Sequence, residues 1–486
     1  MTFEQIPENL LVPGQYQEID NSLAGTTSDV KKVLIIATMC ASGTAETGKA
    51  VQVLAAAKAR SLFGNGSPAA IMAEKFLEKN TTEELWVLPV AEPAGTAWTK
   101  TMTVTAENAS EGAVVLSVNG EKVKAAVAEN AESKTVAAAI VAAINGTSNL
   151  PVEAALDDED DGNTTVKISA SVKGANGNLN TISVTSATGG IKVTGGTETK
   201  GTGTPNLKTL LKELGAVRYN YMISEFADSD SVSAIAAELK DRYSAVRQIG
   251  GRCFVALSGD MGDASTEGTM ICEAEKVNSP HIILVPRGNS VQLPCVWSAV
   301  WCAMICRRLA DDPSANTTDI ELEGLTADEF SFSERQKLLE AGIATFRLDT
   351  TGTVLVERVV TSYTENSDSE RDTSYLDMQV VETVDAIRTY INSEARKRFK
   401  TWKLASTEEN FGSGAKVMTP GVWRSFLAEL YQNVFIKERQ WCQDADSYIA
   451  SISVEVKAGS KTRLEYIHRP VLIGQFYIGA GLNQFK

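Results

Sequence analysis

Few residues in this chain have the type and spacing to do chemistry. The stretch GTAETGKA at 43–50 fits G-x-x-x-x-G-K through Gly43, Gly48 and Lys49, the pattern by which a backbone loop cradles phosphates. The next residue is Ala50, so the hydroxyl that would hold Mg²⁺ is missing. No strand ending in an Asp of the Walker-B kind follows; the apolar runs end at Pro89-Val90, Ser224-Glu225, Ser258-Gly259 and Val285-Pro286. A plain turn between a strand and a helix is expected at 43–50. The acidic run DDEDDG at 157–162 invites calcium, but a register from Asp157 puts Glu159 third and Ile168 twelfth, where Asp or Asn and then Glu are needed. A solvated turn is expected there. Cys295, Cys302 and Cys306 share one helical face, but zinc sites pair cysteines more closely and add ligands nearby. Trp297, Trp301 and Met304 surround them, so the expected role is core packing. His281 and His468, the two histidines of the chain, have no Ser or Cys partner in a nucleophile motif. No catalytic, cofactor-binding or metal residues are therefore assigned, and no enzyme is expected.

Composition narrows the classes further. The 486 residues carry 46 Lys and Arg against 61 Asp and Glu, a formal charge of −15. An acidic chain is a poor match to phosphate backbones, which argues against direct nucleic-acid binding. Hydrophobic residues make up 43%, enough for real cores, and the length suggests about three domains. The seven cysteines are odd in number and scattered, unlike a disulfide framework. MTFEQIPENLLVPG at the start is acidic and broken by Pro7 and Pro13, unlike an export signal. The longest uncharged apolar run, 291–306, contains Pro294 and stops at Arg307-Arg308, so it reads as a buried helix and not as a membrane span.

The elements that would position side chains change style twice along the chain. Short continuous apolar runs at 33–39, 84–90, 219–224, 252–258 and 281–286 suit strands buried on both faces. Helical patterns at 49–63, 67–79, 232–249 and 267–277 alternate with them, which implies a parallel-sheet α/β layer. Between Thr99 and Arg218 there is no Phe, Trp, Tyr or Cys, and Arg is absent from Ser61 to Val217. This stretch alternates as strands do at 102–106, 113–127, 166–172 and 181–187, with Asn119-Gly120 as a hairpin turn and a short Ala-rich helix at 133–145. It ends in the Gly- and Thr-rich GGTETKGTGTP at 195–205, read as turns. Beyond 290 come a helix at 334–343, a hairpin around Gly352, amphipathic helices at 374–403 and 423–441, and alternating strands at 451–459, 460–470 and 471–485. The fold class expected is α/β plus α+β: a parallel-sheet α/β layer with an inserted β-rich domain, then a C-terminal α+β assembly domain, with extended arms at both termini. The expected divisions are 1–30 as N-terminal arm, 31–99 with 204–290 as the α/β domain, 100–203 as the insert, 291–467 as the assembly domain and 468–486 as C-terminal arm.

One local charge reversal stands out. Glu394 to Lys403 holds five cations, Arg396, Lys397, Arg398, Lys400 and Lys403, against one acid. A helix C-terminus favours cations through its dipole, and the same cluster could dock an acidic partner.

Several stretches resemble the contractile tail sheath proteins of Mu-like phages and related phage-tail-like particles. The opening IPENLLVPGQYQEIDNS, with Val12-Pro13-Gly14 and Tyr16 through Asn21, is similar to that family's start. LFGNGSPAAIMAEKFLEKN at 62–80 resembles its Phe-Gly-x-Gly-Ser element. The strongest likeness runs from 337–366 into 372–391, with VMTPGVWR at 417–424 beyond, and is most specific at Asp372, Thr373, Ser374, Tyr375, Leu376 and Asp377. It spans most of the chain outside 100–203 and brings no enzymatic residues and no cofactor. It implies a structural subunit that polymerises around a tail tube and contracts to drive the tube through a target envelope. The implied partners are other sheet-sharing sheath subunits, the tail tube protein, and baseplate and tail terminator proteins, in a virion or phage-tail-like particle assembled in the host cytoplasm. Arms that add strands to a neighbour's sheet would link the subunits, and 396–403 would face the tube. The competing readings are a P-loop-like nucleotide-binding enzyme and a surface adhesin using the Thr-rich module.

Overall fold

The computed structural model describes residues 30–157, 160–262, 268–409, 411–412 and 414–485. Val30 apart, the expected N-terminal arm at 1–30 lies outside them.

The chain begins with β1 (Lys32–Thr38), β2 (Val51–Gln52), α1 (Ala56–Phe63), α2 (Pro68–Lys79) and β3 (Glu84–Val90). Ser67 starts α2 by accepting the Ala70 N–H at 3.1 Å, with Pro68 in the first turn, where its missing donor costs nothing. The stretch 43–50 departs from expectation: a two-residue strand, β2, follows it, and the helix starts only at Ala56. The sheet edge beside β3 recruits Val51 and Gln52 as an antiparallel pair, which removes the helix N-terminus a phosphate loop needs.

From Thr99 to Thr199 the chain makes β4 (Thr99–Ala106), β5 (Gly112–Val118), β6 (Glu121–Val127), α3 (Ser133–Gly146), β7 (Val152–Leu156), β8 (Thr165–Ala170), β9 (Ile182–Ala187) and β10 (Ile191–Thr199). They form sheets ordered β10-β4-β8-β7 and β6-β5-β9, packed with α3 around a separate core of small residues such as Val114, Val123, Ile140 and Val166. Asn119 and Gly120 both have positive φ, as the tight turn between β5 and β6 requires. The two linkers to this unit pinch together: a Cβ on Gly95 would lie 2.0 Å from the Thr202 carbonyl oxygen, so no larger residue fits.

The chain then returns through α4 (Leu207–Lys212), β11 (Tyr221–Ser224), α5 (Ser229–Tyr243), β12 (Arg252–Leu257), α6 (Thr269–Ala274) and β13 (Ile282–Pro286). The six-stranded sheet is ordered β13-β12-β11-β1-β3-β2 and is parallel except for β2. α7 (Pro294–Arg308) packs against α2 on one face; it is apolar all round, and Cys295, Cys302 and Cys306 are buried in it. Next come α8 (Phe332–Glu340), with a Ser331–Glu334 capping box, and the hairpin β14 (Thr345–Leu348) and β15 (Val354–Arg358).

The C-terminal region contains α9 (Met378–Phe399), β16 (Lys403–Leu404), β17 (Val417–Met418), α10 (Pro420–Glu429), β18 (Cys442–Gln443), α11 (Ala445–Ser451), β19 (Ser453–Val456), β20 (Leu464–Ile467) and β21 (Val471–Leu472). A π-helical stretch at 430–438 continues α10, a wider winding than the 3.6 pattern of 423–441 foretells. A third core, with Phe426, Tyr431, Phe435 and Tyr448, lies here. The strand expected over 471–485 forms only at Val471–Leu472, because among the described residues the rest has no strand to pair with.

Candidate assembly surface

None of the chemistry-bearing residues converge. Among the described residues no group of His, Cys, Asp and Glu is arranged to hold a metal. Lys49 pairs with Glu46 at 3.4 Å on the surface. Asp160 closes its own turn by accepting from Thr164 Oγ1 and the amides of Gly162, Thr164 and Thr165; those bonds, Thr164 first, hold its carboxyl down to about 2. Asp158 and Glu159 lie outside the described residues. His281 is buried under Tyr243 with Arg252 nearby, and burial lowers its pKa to about 3, which keeps it neutral. His468 meets the Tyr448 hydroxyl at 3.1 Å.

α9 is the element that joins the cores. Met378 belongs to the large core and Ile387 and Ile391 to the C-terminal one. Its flank against the sheet is polar. Glu382 meets Arg252 at 3.3 Å and the Tyr221 hydroxyl at 3.3 Å. Asp385, nearly buried, binds Arg388 at 2.6 Å and also Arg218. A Cβ on Gly250 would sit 1.9 Å from Asp385 Oδ2, so glycine is what lets this carboxylate reach its cations. Arg388 also lies 4.1 Å above the Tyr243 ring.

The six residues Asp372 to Asp377 fold into the entry to α9. Asp372 accepts from the Tyr363 hydroxyl at 2.7 Å and the Ser374 hydroxyl at 2.8 Å, while the backbone oxygens of Tyr375 and Leu376 bind Thr361. Thr373 lines the same shallow groove as Asp372 and Leu376. Asp377 takes Arg358 bidentately at 2.9 and 3.0 Å. These side chains shape a helix start.

The five cations sit where α9 leaves the body, all exposed. Lys397 and Arg398 are tied to Glu394, and Arg398 also reaches Glu429 at 3.0 Å. Arg396, Lys400 and Lys403 make no salt bridge with a described residue. Beneath them Phe399, Trp402, Trp423 and Phe426 form an aromatic cluster that touches Tyr466 of β20. This cluster ties the basic helix end to the terminal hairpin. Sequence reasoning missed it, although Trp402 and Trp423 stand out in a chain with seven tryptophans.

That hairpin, β19 with β20, is a two-stranded sheet with both outer edges open among the described residues. Next to it Tyr431 stacks flat on Tyr448 at 3.5 Å, and its hydroxyl bridges Gln443 and Val471, joining β18 to β21. Past Ile473, whose amide binds the Trp441 oxygen at 3.0 Å, the chain runs extended with Phe476 85% and Ile478 79% exposed. Unpaired strand edges are a template for pairing with another chain, and exposed apolar side chains are sites a partner can cover.

Comparison with known proteins places this geometry in context. Residues 200–362 match the phage tail sheath protein central domain. The full chain is 29% identical, over 496 aligned residues, to a Mu-like prophage FluMu tail sheath protein of Haemophilus influenzae, covering 99% of that relative. Among solved structures, the sheath tail protein of Desulfitobacterium hafniense aligns over 95% of this chain and 100% of its own, at 12% identity and a TM-score of 0.47. The sheath complex of an extracellular contractile injection system in its contracted state aligns over 98% of both, at 8% identity and a TM-score of 0.45.

Proposed function

We propose that this chain is a tail sheath subunit that polymerises around a tail tube through its terminal segments and contracts to drive that tube through a target envelope; its full-length likeness to a Mu-like prophage tail sheath protein and the match of 200–362 to the sheath central domain support this reading. The observation that carries this is the open-edged β19–β20 hairpin, followed in the chain by a terminal segment without a strand partner among the described residues and with outward Phe476 and Ile478. A neighbour's terminal strand adding to that hairpin would satisfy its unpaired edge amides and carbonyls. Residues 31–99 with 204–290 are the α/β domain, 291–467 the assembly domain, and 1–30 and 468–486 the arms. The insert at 100–203 projects outward, since a module spliced into a loop is best tolerated on an outer surface. The cations at 396–403 face the tube: exposed ion pairs are individually weak, so they hold an extended state and still release. Contraction then repacks rigid bodies about flexible links, with the free energy stored in subunit interfaces at assembly. Baseplate and terminator proteins cap the ends of the polymer.

The test is deletion of residues 1–20. The truncated chain should stay folded by circular dichroism and form no tubes by negative-stain microscopy. Normal tubes from it would overturn the arm linkage.

A further inference from the structure

Among the described residues, the C-terminal segment past Ile473 is held to its own subunit through side chains. After the Ile473 amide, no backbone hydrogen bond among the described residues fastens 474–485 to the body. Alternation turns Phe476 and Ile478 outward and Gln475 and Tyr477 inward. Gln475 donates to the Ser314 oxygen at 2.7 Å. Tyr477 enters a seat between α9 and β15: its hydroxyl accepts from Gln379 Nε2 at 3.2 Å, and its ring lies 4.7 Å from the Arg358 guanidinium. Arg358 is fixed by the two bonds it donates to Asp377, so the seat is preformed by a rigid ion pair. The Gln379 amide is shared with Thr317 Oγ1 at 3.0 Å. The result is a backbone whose ladder groups make no hydrogen bond with a described residue, kept in place by two side chains.

We propose that Tyr477 is a latch: seated against Arg358 and Gln379, it holds the C-terminal segment on its own subunit and delays its engagement with a neighbour. The proposal rests on the reading that terminal segments link sheath subunits. An arm that is extended, apolar on its outer side and unpaired would otherwise associate as soon as it is made. A side-chain latch resists that at low concentration, and an incoming neighbour displaces it because pairing offers a whole ladder of bonds. The seat is far from the segment in sequence, so the latch forms only after the body has folded.

Two readouts on full-length protein test this. The first is thermolysin cleavage before Ile478, each rate divided by that of the matching synthetic peptide of residues 470–486. Tyr477→Ala should raise the normalised rate about tenfold, the population shift for roughly 1.4 kcal/mol. Gln379→Ala should raise it less, since the ring–guanidinium contact survives. The second is the lag before tube formation by light scattering, which Tyr477→Ala should shorten. An unchanged cleavage rate in Tyr477→Ala overturns the latch, as does faster cleavage with a longer lag, which would make the seat an assembly contact. If the wild-type chain forms no tubes, the linkage reading fails while the cleavage comparison still judges the latch.

Discussion

The insert and the C-terminal region both contain small antiparallel sheets, and they treat their edges in opposite ways. In the insert, the Asn145 carboxamide lies along β7 as a surrogate strand: its Nδ2 donates to the Ala154 oxygen at 2.8 Å, and its Oδ1 accepts the Ala154 amide at 2.9 Å. At the other end of that sheet, β10 is disrupted between Gly195 and Glu198. β6 lines its edge with exposed Lys122 and Lys124. A carboxamide cap, an irregularity and lysines are all devices that keep a β-edge from pairing with another chain. The β19–β20 hairpin has neither a carboxamide cap nor an irregularity; its exposed charges include Glu455 and Lys457, and it also exposes Ile467. The difference fits the proposed placement of subunit contacts: the insert blunts its edges within the chain, and the hairpin leaves its edges unpaired among the described residues.

The largest expected effect comes from closing the open side. Phe476→Asp with Ile478→Asp should abolish tubes in a sedimentation assay while leaving the melting temperature unchanged, because both side chains point away from every core. Opening the closed side has a middling effect. Asn145→Ala leaves the Ala154 amide and oxygen unpaired in a nearly buried place and should cost about 1–3 kcal/mol in urea unfolding. Placed on the Phe476→Asp/Ile478→Asp background, which forms no tubes, Asn145→Ala should add concentration-dependent association by size-exclusion chromatography that this background alone lacks. The smallest effect tests whether the basic end of α9 belongs with the open side. Arg396→Glu with Lys400→Glu should leave tubes of the chain alone intact and weaken co-assembly with tail tube protein in a salt-dependent way, at roughly 0.5–1 kcal/mol per lost pair. Equal co-assembly at low salt would remove 396–403 from the tube-facing side.

The sequence made much of the sheet legible, for physical reasons. Runs such as VLIIATM and HIILVP are buried on both faces, so burial and β-branching agree and β1 and β13 fall where expected. Asn119-Gly120 marks a turn because few other pairs adopt two positive φ angles cheaply. β10 escaped because Thr-Gly-Gly-Thr reads as a turn, yet most of it pairs with β4 outside the core, where side-chain pattern carries little information. The alternation over 471–485 was real, but a strand also needs a partner, and only Cys442 and Gln443 supply one. The cations of 396–403 were visible as a run, whereas the Tyr477 seat was not. Its hydroxyl partner, Gln379, lies 98 residues earlier, and the Ser314 oxygen that holds Gln475 lies 161 earlier, so no local pattern could bring them together.

Amide hydrogen exchange, read on the free chain and on assembled tubes, addresses the contrast between open and closed edges most directly. Amides of 453–456 and 464–467 should slow strongly on assembly, while those of 121–127 and 152–156 keep their free-chain rates. Slowed exchange along the insert edges with unchanged rates in the hairpin would contradict the assignment of assembly to the C-terminal sheet.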